Sequence, residues 1–282
     1  MQIAKFKNRD GEVCVGAIDG DSIVPIQCES APNPLFEWLE IAEPAQRAME
    51  RLDQTHACPL NDVVLLPPID QHEVWAAGVT YQRSQSARME ESEAAADCYE
   101  RVYRSDRPEL FPKAAPHRVV GPNQPLRLRA DSKWMVPEPE VALVLNSRLD
   151  IVGFTIGNDL SCRDIEGDNP LYLPQAKIFE GSCSLGPWIT LAESVPRPDK
   201  LAVELVVHRQ GETAFSGQSS TSKMARTFPD LVSWLGREMN FTNGAVLLTG
   251  TGIVPENEFT LQSGDIVDIS IERIGTLSNP IA

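Results

Sequence analysis

Apolar and polar residues alternate with a period of two along most of the chain, which is typical of β-strands with one buried face. Residues 3–26 predict a short β-meander, with turns at residues 8–11 and 19–21. Residues 34–52 predict a helix, because several apolar residues recur there at helical spacing: Leu35, Trp38, Leu39, Ile41 and Ala42. The first part of the chain therefore combines strands with a helix.

Beyond residue 69 the chain is dominated by short apolar segments that glycine, proline, asparagine and aspartate separate. Helices are predicted at residues 84–104 and 227–239. The predicted strands are residues 73–78, 134–136, 140–145, 151–158, 188–191, 202–208, 245–248 and 266–271. Many short strands and few helices predict a β-rich α+β fold with a partly closed sheet.

The proline pair Pro67–Pro68 is the best candidate for a domain boundary. Before it lie the meander and the helix, and after it lies the long series of strands. We therefore predict a small N-terminal α+β domain at residues 1–68 and a catalytic domain at residues 69–282.

Composition and charge narrow the classes of partner. The 282 residues are 42% hydrophobic and 23% charged, as in globular proteins, and the formal net charge of −15 argues against nucleic-acid binding. No apolar segment approaches the roughly 20 residues of a membrane-spanning helix, and the N-terminus does not resemble a signal peptide. The six cysteines are scattered without a CxxC pair, which favours free thiols and a cytoplasmic location.

The segment WMVPEPEVALVL, residues 134–145, places two acids in an otherwise apolar stretch. Glu138 and Glu140 are two residues apart, so on an extended chain their side chains leave the same face. Two neighbouring carboxylates repel each other unless a proton or a cation lies between them. A hard divalent cation such as Mg²⁺ would satisfy both, since it prefers oxygen ligands.

A third acid, Asp159, ends the next predicted strand and could complete a set of three oxygen ligands. The simpler alternative is that one glutamate faces solvent on an edge strand beside Pro139, because a spacing of two residues is weak evidence alone.

Four separated motifs favour the metal site over the solvent-exposed alternative: EPEVALVL, GFTIGNDLSCRD, QAKIFEGSCSLGPWI and LLTGTG. In this order and spacing they resemble the fumarylacetoacetate hydrolase superfamily, over residues 73–282. The resemblance implies a mixed β-roll core that packs as a homodimer or higher homo-oligomer. It also implies Mg²⁺ (or Mn²⁺ or Ca²⁺) held by Glu138, Glu140 and Asp159, with Lys177 as the active-site lysine and Arg163 and Asp164 bracing the site.

The chain departs from the hydrolases and decarboxylases of that superfamily after the first strand of the main domain. Where they carry G-x-N-Y-x-x-H, this sequence has GVTYQRS, so Thr80 replaces asparagine and Ser84 replaces the histidine that could activate water. The segments VTYQRSQSAR and YERVYRSDRPELFPKA instead resemble the branch that contains 2-keto-3-deoxy-D-arabinonate dehydratases. That resemblance implies that Glu109 and Lys177 are the catalytic residues.

The chemistry of a 2-keto acid agrees with this interpretation. Its carboxylate and ketone oxygens chelate one metal ion, which acidifies the adjacent CH₂ group. Dehydration to 2,5-dioxopentanoate then needs a base for that carbon and an acid for the departing hydroxyl. We expect Glu109 and Lys177 to share these tasks, and the sequence leaves open which residue does which.

Other residues are candidates for substrate binding. Arg83, Ser84 and Arg88 could hold the carboxylate or hydroxyl groups, although Arg88 could equally lie on an exposed helix face. Thr251, in a glycine-flanked turn, could bind the ligand or simply shape the turn.

Two alternatives to the dehydratase remain at this stage. One is hydrolysis of a C–C bond in a β-diketo acid, such as 2,4-diketo-3-deoxypentonate or a fumarylacetoacetate-like substrate. The other is a binding module without catalysis, which the presence of all three acids and the lysine argues against.

Overall fold

The computed structural model describes residues 1–27, 34–84, 86 and 96–282. Over these residues the protein is β-rich, as predicted. Its strands are β1 Gln2–Lys7, β2 Val13–Asp19, β3 Ser22–Pro25, β4 Cys58–Pro59, β5 Val64–Leu65, β6 Glu73–Gly78, β7 Glu109–Ala114, β8 Val119–Val120, β9 Met135–Val136, β10 Pro139–Leu145, β11 Ile151–Asp159, β12 Ser161–Cys162, β13 Cys183–Leu191, β14 Ala202–Arg209, β15 Glu212–Ser220, β16 Ala245–Leu248, β17 Ile266–Ile271 and β18 Gly275–Pro280.

The described helices are short. They are α1 Pro34–Glu40, α2 Pro44–Glu50, α3 Ala96–Arg104, α4 Arg163–Asp168, α5 Leu173–Lys177 and α6 Phe228–Leu235. None of the helices in the described ranges is both long enough and apolar enough for a membrane span.

A large mixed sheet organises the molecule, with strand order β4-β3-β2-β1-β13-β11-β10-β16-β6-β7 and with β5 and β8 paired at its sides. β6 pairs in parallel with β16, and the neighbouring strands β10 and β11 are antiparallel. A second sheet of four strands, β15-β14-β17-β18, lies apart from it. This architecture confirms the predicted fold class.

The main core fills the space between these two sheets. Alternate residues of β10 enter it, Val141, Leu143 and Leu145, and they pack with apolar residues of β14, β17 and α6. The intervening residues of β10 are buried on the opposite face of the sheet. A strand buried on both faces explains why EVALVL reads as an almost continuous apolar run.

The N-terminal segment joins the large sheet directly, because β1 pairs antiparallel with β13 through Gln2–Thr190 and Ile3–Ile189. Its helices cover part of the same sheet, where Leu35, Trp38 and Leu39 are buried. The proposed boundary at residue 68 stays a prediction.

Several element predictions need correction. The single helix predicted at residues 34–52 is two helices, because Glu43 has a left-handed backbone (φ 55°) immediately before Pro44. The helix predicted at 227–239 ends at Leu235 and has Thr227 as its N-cap. The helix predicted at 84–104 is present at Ala96–Arg104, whereas residues 85 and 87–95, including Arg88, lie outside the described residues.

Candidate metal centre and its cavity

The three predicted acids meet at one end of the β10–β11 pair. Glu138 immediately precedes β10, Glu140 is its second residue, and Asp159 is the last residue of β11. Antiparallel pairing aligns Glu140 with Gly157, so the start of one strand lies beside the end of the other. One carboxylate oxygen from each acid lies within 4.8 Å of the others, and all three side chains are buried.

Lys177, at the end of α5, contacts two of these acids. Its Nζ donates to Glu138 Oε2 at 2.8 Å, to Asp159 Oδ2 at 3.1 Å and to Ser161 Oγ at 2.6 Å. Three acceptors use the three N–H groups of an ammonium, so the structure favours the charged form of this lysine. The centroid of the Phe111 ring lies 5.9 Å from Lys177 Nζ.

Arg163, at the start of α4, connects the centre to a further acid. Its NH1 lies 3.5 Å from Glu138 Oε1 and 3.4 Å from Glu166 Oε2. Asp164 accepts bonds from Ser132 Oγ and from the backbone N–H of Lys133. Arg163 therefore contacts Glu138, and Asp164 holds the Ser132–Lys133 segment; that they brace the site, as the resemblance implies, stays a prediction.

Glu140 has the most distinctive electrostatic environment of the three acids. Burial, followed by the charges of Asp159 and Glu138, raises its pKa well above the usual range. The backbone N–H of Gly250 donates to Glu140 Oε2 at 2.5 Å and opposes that effect. The charge of Lys177 also opposes the rise, and a cation bound among the three acids would lower the pKa of Glu140 further.

The donor set suits a hard divalent cation. Three carboxylates within reach of one point supply only oxygen ligands, which is the preference of Mg²⁺, Mn²⁺ and Ca²⁺. No cysteine or histidine belongs to this cluster of described residues, so softer zinc-type ligation is not indicated.

The predicted catalytic and substrate residues divide between two spaces. An inner cavity adjoins the acids, and its lining includes Glu109, Lys177, Ser84, Thr251 and Glu166. Arg83 instead lines an outer cleft of about 720 Å³, formed with Tyr81, Phe215, Lys223, Gly252 and other residues of the 81–86, 215–223 and 252–254 segments. The structure thus brings Glu109 and Lys177 to the metal centre and places Arg83 in the neighbouring cleft.

Ser84 and Thr251 have backbone partners within the inner cavity wall. Ser84 Oγ donates to the carbonyl of Tyr81 at 2.8 Å, and Thr251 Oγ1 donates to the carbonyl of Ile253 at 3.2 Å. Thr80, which replaces the asparagine of the related hydrolases, donates to the carbonyl of Thr249 at 2.6 Å. The Thr80 bond joins the 80–84 turn to the TGTG turn, whereas the Ser84 and Thr251 bonds each lie within their own turn.

Two charged residues of the site were not among the sequence candidates. Lys113 is fully buried, and its Nζ lies 2.5 Å from Asp159 Oδ1. Glu166 lines the inner cavity beside Arg163. A signal existed for the first, because Lys113 lies four residues beyond Glu109 and an extended chain puts both on one face.

The sequence profile for the fumarylacetoacetate (FAA) hydrolase C-terminal domain matches residues 73–282. The chain belongs to the fumarylacetoacetate hydrolase family. The family predicted from four sequence motifs is therefore confirmed, and the matched segment begins just after the proposed boundary at residue 68.

Two curated members of the family are similar to this chain. The probable 2-keto-3-deoxyxylonate dehydratase of Haloferax volcanii is 51% identical over 214 residues, which cover 76% of this chain and 73% of that protein. The 2-dehydro-3-deoxy-D-arabinonate dehydratase of Saccharolobus solfataricus is 42% identical over 287 aligned residues, covering 100% of this chain and 96% of that protein.

A solved structure of the family has the same fold. A 2-keto-3-deoxy-D-arabinonate dehydratase complexed with magnesium and 2,5-dioxopentanoate superposes with a TM-score of 0.82 at 34% identity, covering 100% of this chain and 98% of that one. The similarity extends through the N-terminal segment as well as the family domain.

Proposed function

We propose that this protein is a magnesium-dependent dehydratase that converts a 2-keto-3-deoxypentonic acid to 2,5-dioxopentanoate and water. The observation that carries the proposal is the buried triad of Glu138, Glu140 and Asp159 in direct contact with Lys177. The end-to-end similarity to a named dehydratase supports the same reaction.

The names of the two curated relatives point to one substrate. In a 2-keto-3-deoxypentonic acid, C2 is a ketone and C3 is a CH₂ group, so C4 is the only remaining stereocentre. Within the D series, arabinonic and xylonic acids share the configuration at C4 and give the same 2-keto-3-deoxy compound. We therefore propose 2-keto-3-deoxy-D-arabinonate, which is also the D-xylonate derivative, as the substrate.

Glu138, Glu140 and Asp159 are the residues that would hold Mg²⁺. When bound, the ion supplies a Lewis acid for the carboxylate and ketone oxygens of the substrate and so acidifies the hydrogens on C3. A bound cation would also favour the ionised form of Glu140, whose pKa is raised by burial and by the charges of Asp159 and Glu138.

The contacts of the two catalytic candidates suggest how they divide the proton transfers. Lys177 donates three hydrogen bonds and is therefore suited to protonate the C4 hydroxyl as the C4–O bond breaks and water leaves. Glu109, across the same cavity, is suited to take the proton from C3. The resulting 5-hydroxy-2-oxopent-3-enoate then isomerises to the aldehyde: C5 and its hydroxyl each lose a proton, and C3 and C4 each gain one.

The route to this site is narrow. The inner cavity holds about 20 Å³, enough for one water molecule or an ion, so a five-carbon acid must displace side chains to enter. The outer cleft shares its 81–86 and 250–254 wall segments with the cavity. Its charged lining residues, among those described, are Arg83 and Lys223, which would attract an anionic substrate to a protein of net charge −15.

C–C bond hydrolysis is less well supported. The four histidines are His56, His72, His117 and His208, all within the described ranges, and none lines the inner cavity. Ser84, at the position of the missing imidazole, is bonded to the backbone of its own turn. The site therefore offers no imidazole base for activating water.

The experiment that tests the function follows both product and proton exchange. Purified protein with Mg²⁺ and 2-keto-3-deoxy-D-arabinonate should give an aldehyde product, whereas a pyruvate-type fragment from a diketo acid would indicate the hydrolase. In D₂O, the Glu109→Gln variant should lose hydrogen exchange at C3, and Lys177→Met should retain exchange without releasing water. Exchange lost in Lys177→Met and retained in Glu109→Gln would reverse the assignment.

We also propose that the protein acts in the cytoplasm, in the oxidative breakdown of pentoses, and as a homodimer. The free thiols of Cys14, Cys58, Cys162 and Cys183 support a reducing compartment. Light scattering of the purified protein tests the dimer, and cell fractionation tests the location.

A further inference from the structure

Lys113 is an ammonium group enclosed entirely by the candidate site. It is the fifth residue of β7 and has no exposed surface. Its Nζ pairs with Asp159 Oδ1 at 2.5 Å and donates to the carbonyls of Leu160 at 3.0 Å and Lys177 at 2.5 Å. Every one of these partners is a site residue or the neighbour of one.

Burying a charged amine is costly unless ion pairs and hydrogen bonds replace the lost water. For Lys113 these partners are Asp159 and Leu160, at the end of β11, and Lys177, at the end of α5. The same nitrogen therefore joins the strand that carries Asp159 to the helix that carries Lys177.

The contacts also divide the two oxygens of Asp159 between two cations. Oδ1 faces Lys113, while Oδ2 accepts from Lys177 at 3.1 Å. With Oδ1 in the ion pair with Lys113 and Oδ2 bonded to Lys177, the two ammonium groups together fix the orientation of the carboxylate. A fixed carboxylate orientation is what partners behind a metal ligand provide.

The strand geometry extends this connection to Glu109. Glu109, Phe111 and Lys113 alternate along β7; the first two line the inner cavity and the third reaches Asp159. Pro112 is exposed and Leu110 packs against the main core, as expected for the opposite face.

We propose that Lys113 is a positioning residue: it fixes the orientation of the Asp159 carboxylate as a metal ligand and holds Lys177 and Glu109 relative to it. The part that concerns turnover rests on the proposed dehydratase function, whereas the part that concerns metal binding does not.

The test compares Lys113→Met with a matched control, Lys5→Met. Lys5 has the same kind of partners away from the site, since its Nζ pairs with Asp70 Oδ1 at 2.5 Å and donates to the carbonyl of Ile69 at 2.8 Å. Both variants should lose thermal stability, because each removes an ammonium group that pairs with a buried carboxylate. A loss of stability alone therefore does not distinguish a positioning role.

The distinguishing measurement is Mg²⁺ affinity by titration calorimetry of the full-length protein below its melting temperature. We expect Lys113→Met to bind Mg²⁺ at least about tenfold more weakly, the usual scale for residues that orient a metal ligand, and Lys5→Met to bind it like the parent. At saturating Mg²⁺ and substrate, kcat of Lys113→Met should fall at least about a hundredfold.

Unchanged or tighter Mg²⁺ binding in Lys113→Met would overturn the proposal, because Lys113 would then be a bystander or a competing charge. If this variant does not fold, Lys113→Gln, which keeps a donor for the two carbonyls, takes its place in the same assays. If neither folds, Lys113 maintains the fold rather than the site, and the proposal fails. A parent that binds Mg²⁺ but does not dehydrate the pentonate would disprove the function and leave the metal-binding result intact.

Discussion

Gly78, the last residue of β6, lies directly against the side chain of Glu109, the first residue of β7. The two residues are paired across the strands, and a Cβ atom added to Gly78 would overlap the Glu109 carboxyl group. The absence of a side chain at residue 78 therefore sets where the candidate base can lie.

Gly78→Ala should displace Glu109 and lower kcat at least about tenfold while the protein remains folded, since small shifts of a catalytic group are costly. The measurement is kcat for the single variants and for Gly78→Ala combined with Glu109→Gln. Because both changes act on one carboxyl group, the double variant should be no slower than Glu109→Gln alone. Additive losses would show that the alanine acts elsewhere.

Glu138→Gln should remove Mg²⁺ binding and activity without unfolding the protein, because a neutral amide is a poor ligand and the triad lies at the end of the strands. The parent should melt at a higher temperature when Mg²⁺ is added, and this increase should vanish in the variant. Glu256→Gln, at an exposed acid, is the control and should keep the increase. Full activity of metal-stripped Glu138→Gln would contradict the metal assignment.

Mg²⁺ binding should release protons and strengthen as the pH rises. Burial and two neighbouring acids raise the pKa of Glu140 in the metal-free protein, whereas a metal ligand must be ionised. The raised pKa also affects stability. Because the folded pKa of Glu140 exceeds its unfolded value of 4.5, the metal-free protein becomes less stable as the pH rises above 4.5. Calorimetry in buffers of different ionisation enthalpy measures the released protons, and Glu140→Gln should release fewer.

His72 should make the protein less stable in mild acid. Burial lowers the pKa of His72 from 6.5 to about 4, and its Nδ1 accepts from the backbone N–H of Asp70 at 3.2 Å. A histidine with a depressed folded pKa contributes stability that is present above 6.5 and is lost as the pH falls toward 4.

Between pH 7 and pH 5 this loss amounts to about 2 kcal/mol of unfolding free energy. Urea unfolding at both pH values measures it, with His72→Asn as the control that keeps an acceptor but does not titrate. An equal pH dependence in parent and His72→Asn would assign the effect to other groups.

Lys223→Glu should lower kcat/KM of the anionic substrate and change kcat little, because Lys223 lines the outer cleft and not the inner cavity. The difference between parent and variant should shrink as salt is added. Lys7→Glu makes the same charge change on an exposed residue of β1 and serves as the control. Equal effects of the two substitutions would remove the cleft from the substrate route.

The clustering of the three acids could be predicted because its information is local. Glu138 and Glu140 share a face by spacing alone, and Asp159 stands where a buried strand ends, so pairing of β10 with β11 completes the set. The buried strand β10 was clear for a similar reason, since few other structures accommodate EVALVL.

The residues that the sequence did not reveal depend on contacts between distant segments. Lys113 meets Asp159 across 46 residues of chain, and apart from its spacing from Glu109 nothing in FPKAAP distinguishes it from an exposed lysine. Strand β15 was missed because most of its residues are polar or small and its burial is partial, so neither period-two alternation nor apolarity marks it. The break between α1 and α2 depends on one left-handed residue, Glu43, that helix propensity does not anticipate.

β7 presents Glu109, Phe111 and Lys113 toward the site at alternate positions, with Lys113 as the extra residue of an irregularity between Pro112 and Ala114, so the placement of the three groups depends on the number of residues from Glu109 to Lys113. Deleting or inserting one residue between Leu110 and Pro112 would reverse the alternation of side chains beyond that point. Glu109 and Lys113 would then point to opposite faces of the sheet. Related sequences should therefore vary in loop length on either side of β7 but keep the five residues from Glu109 to Lys113. An active homologue with four or six residues there would need another partner for the aspartate that corresponds to Asp159.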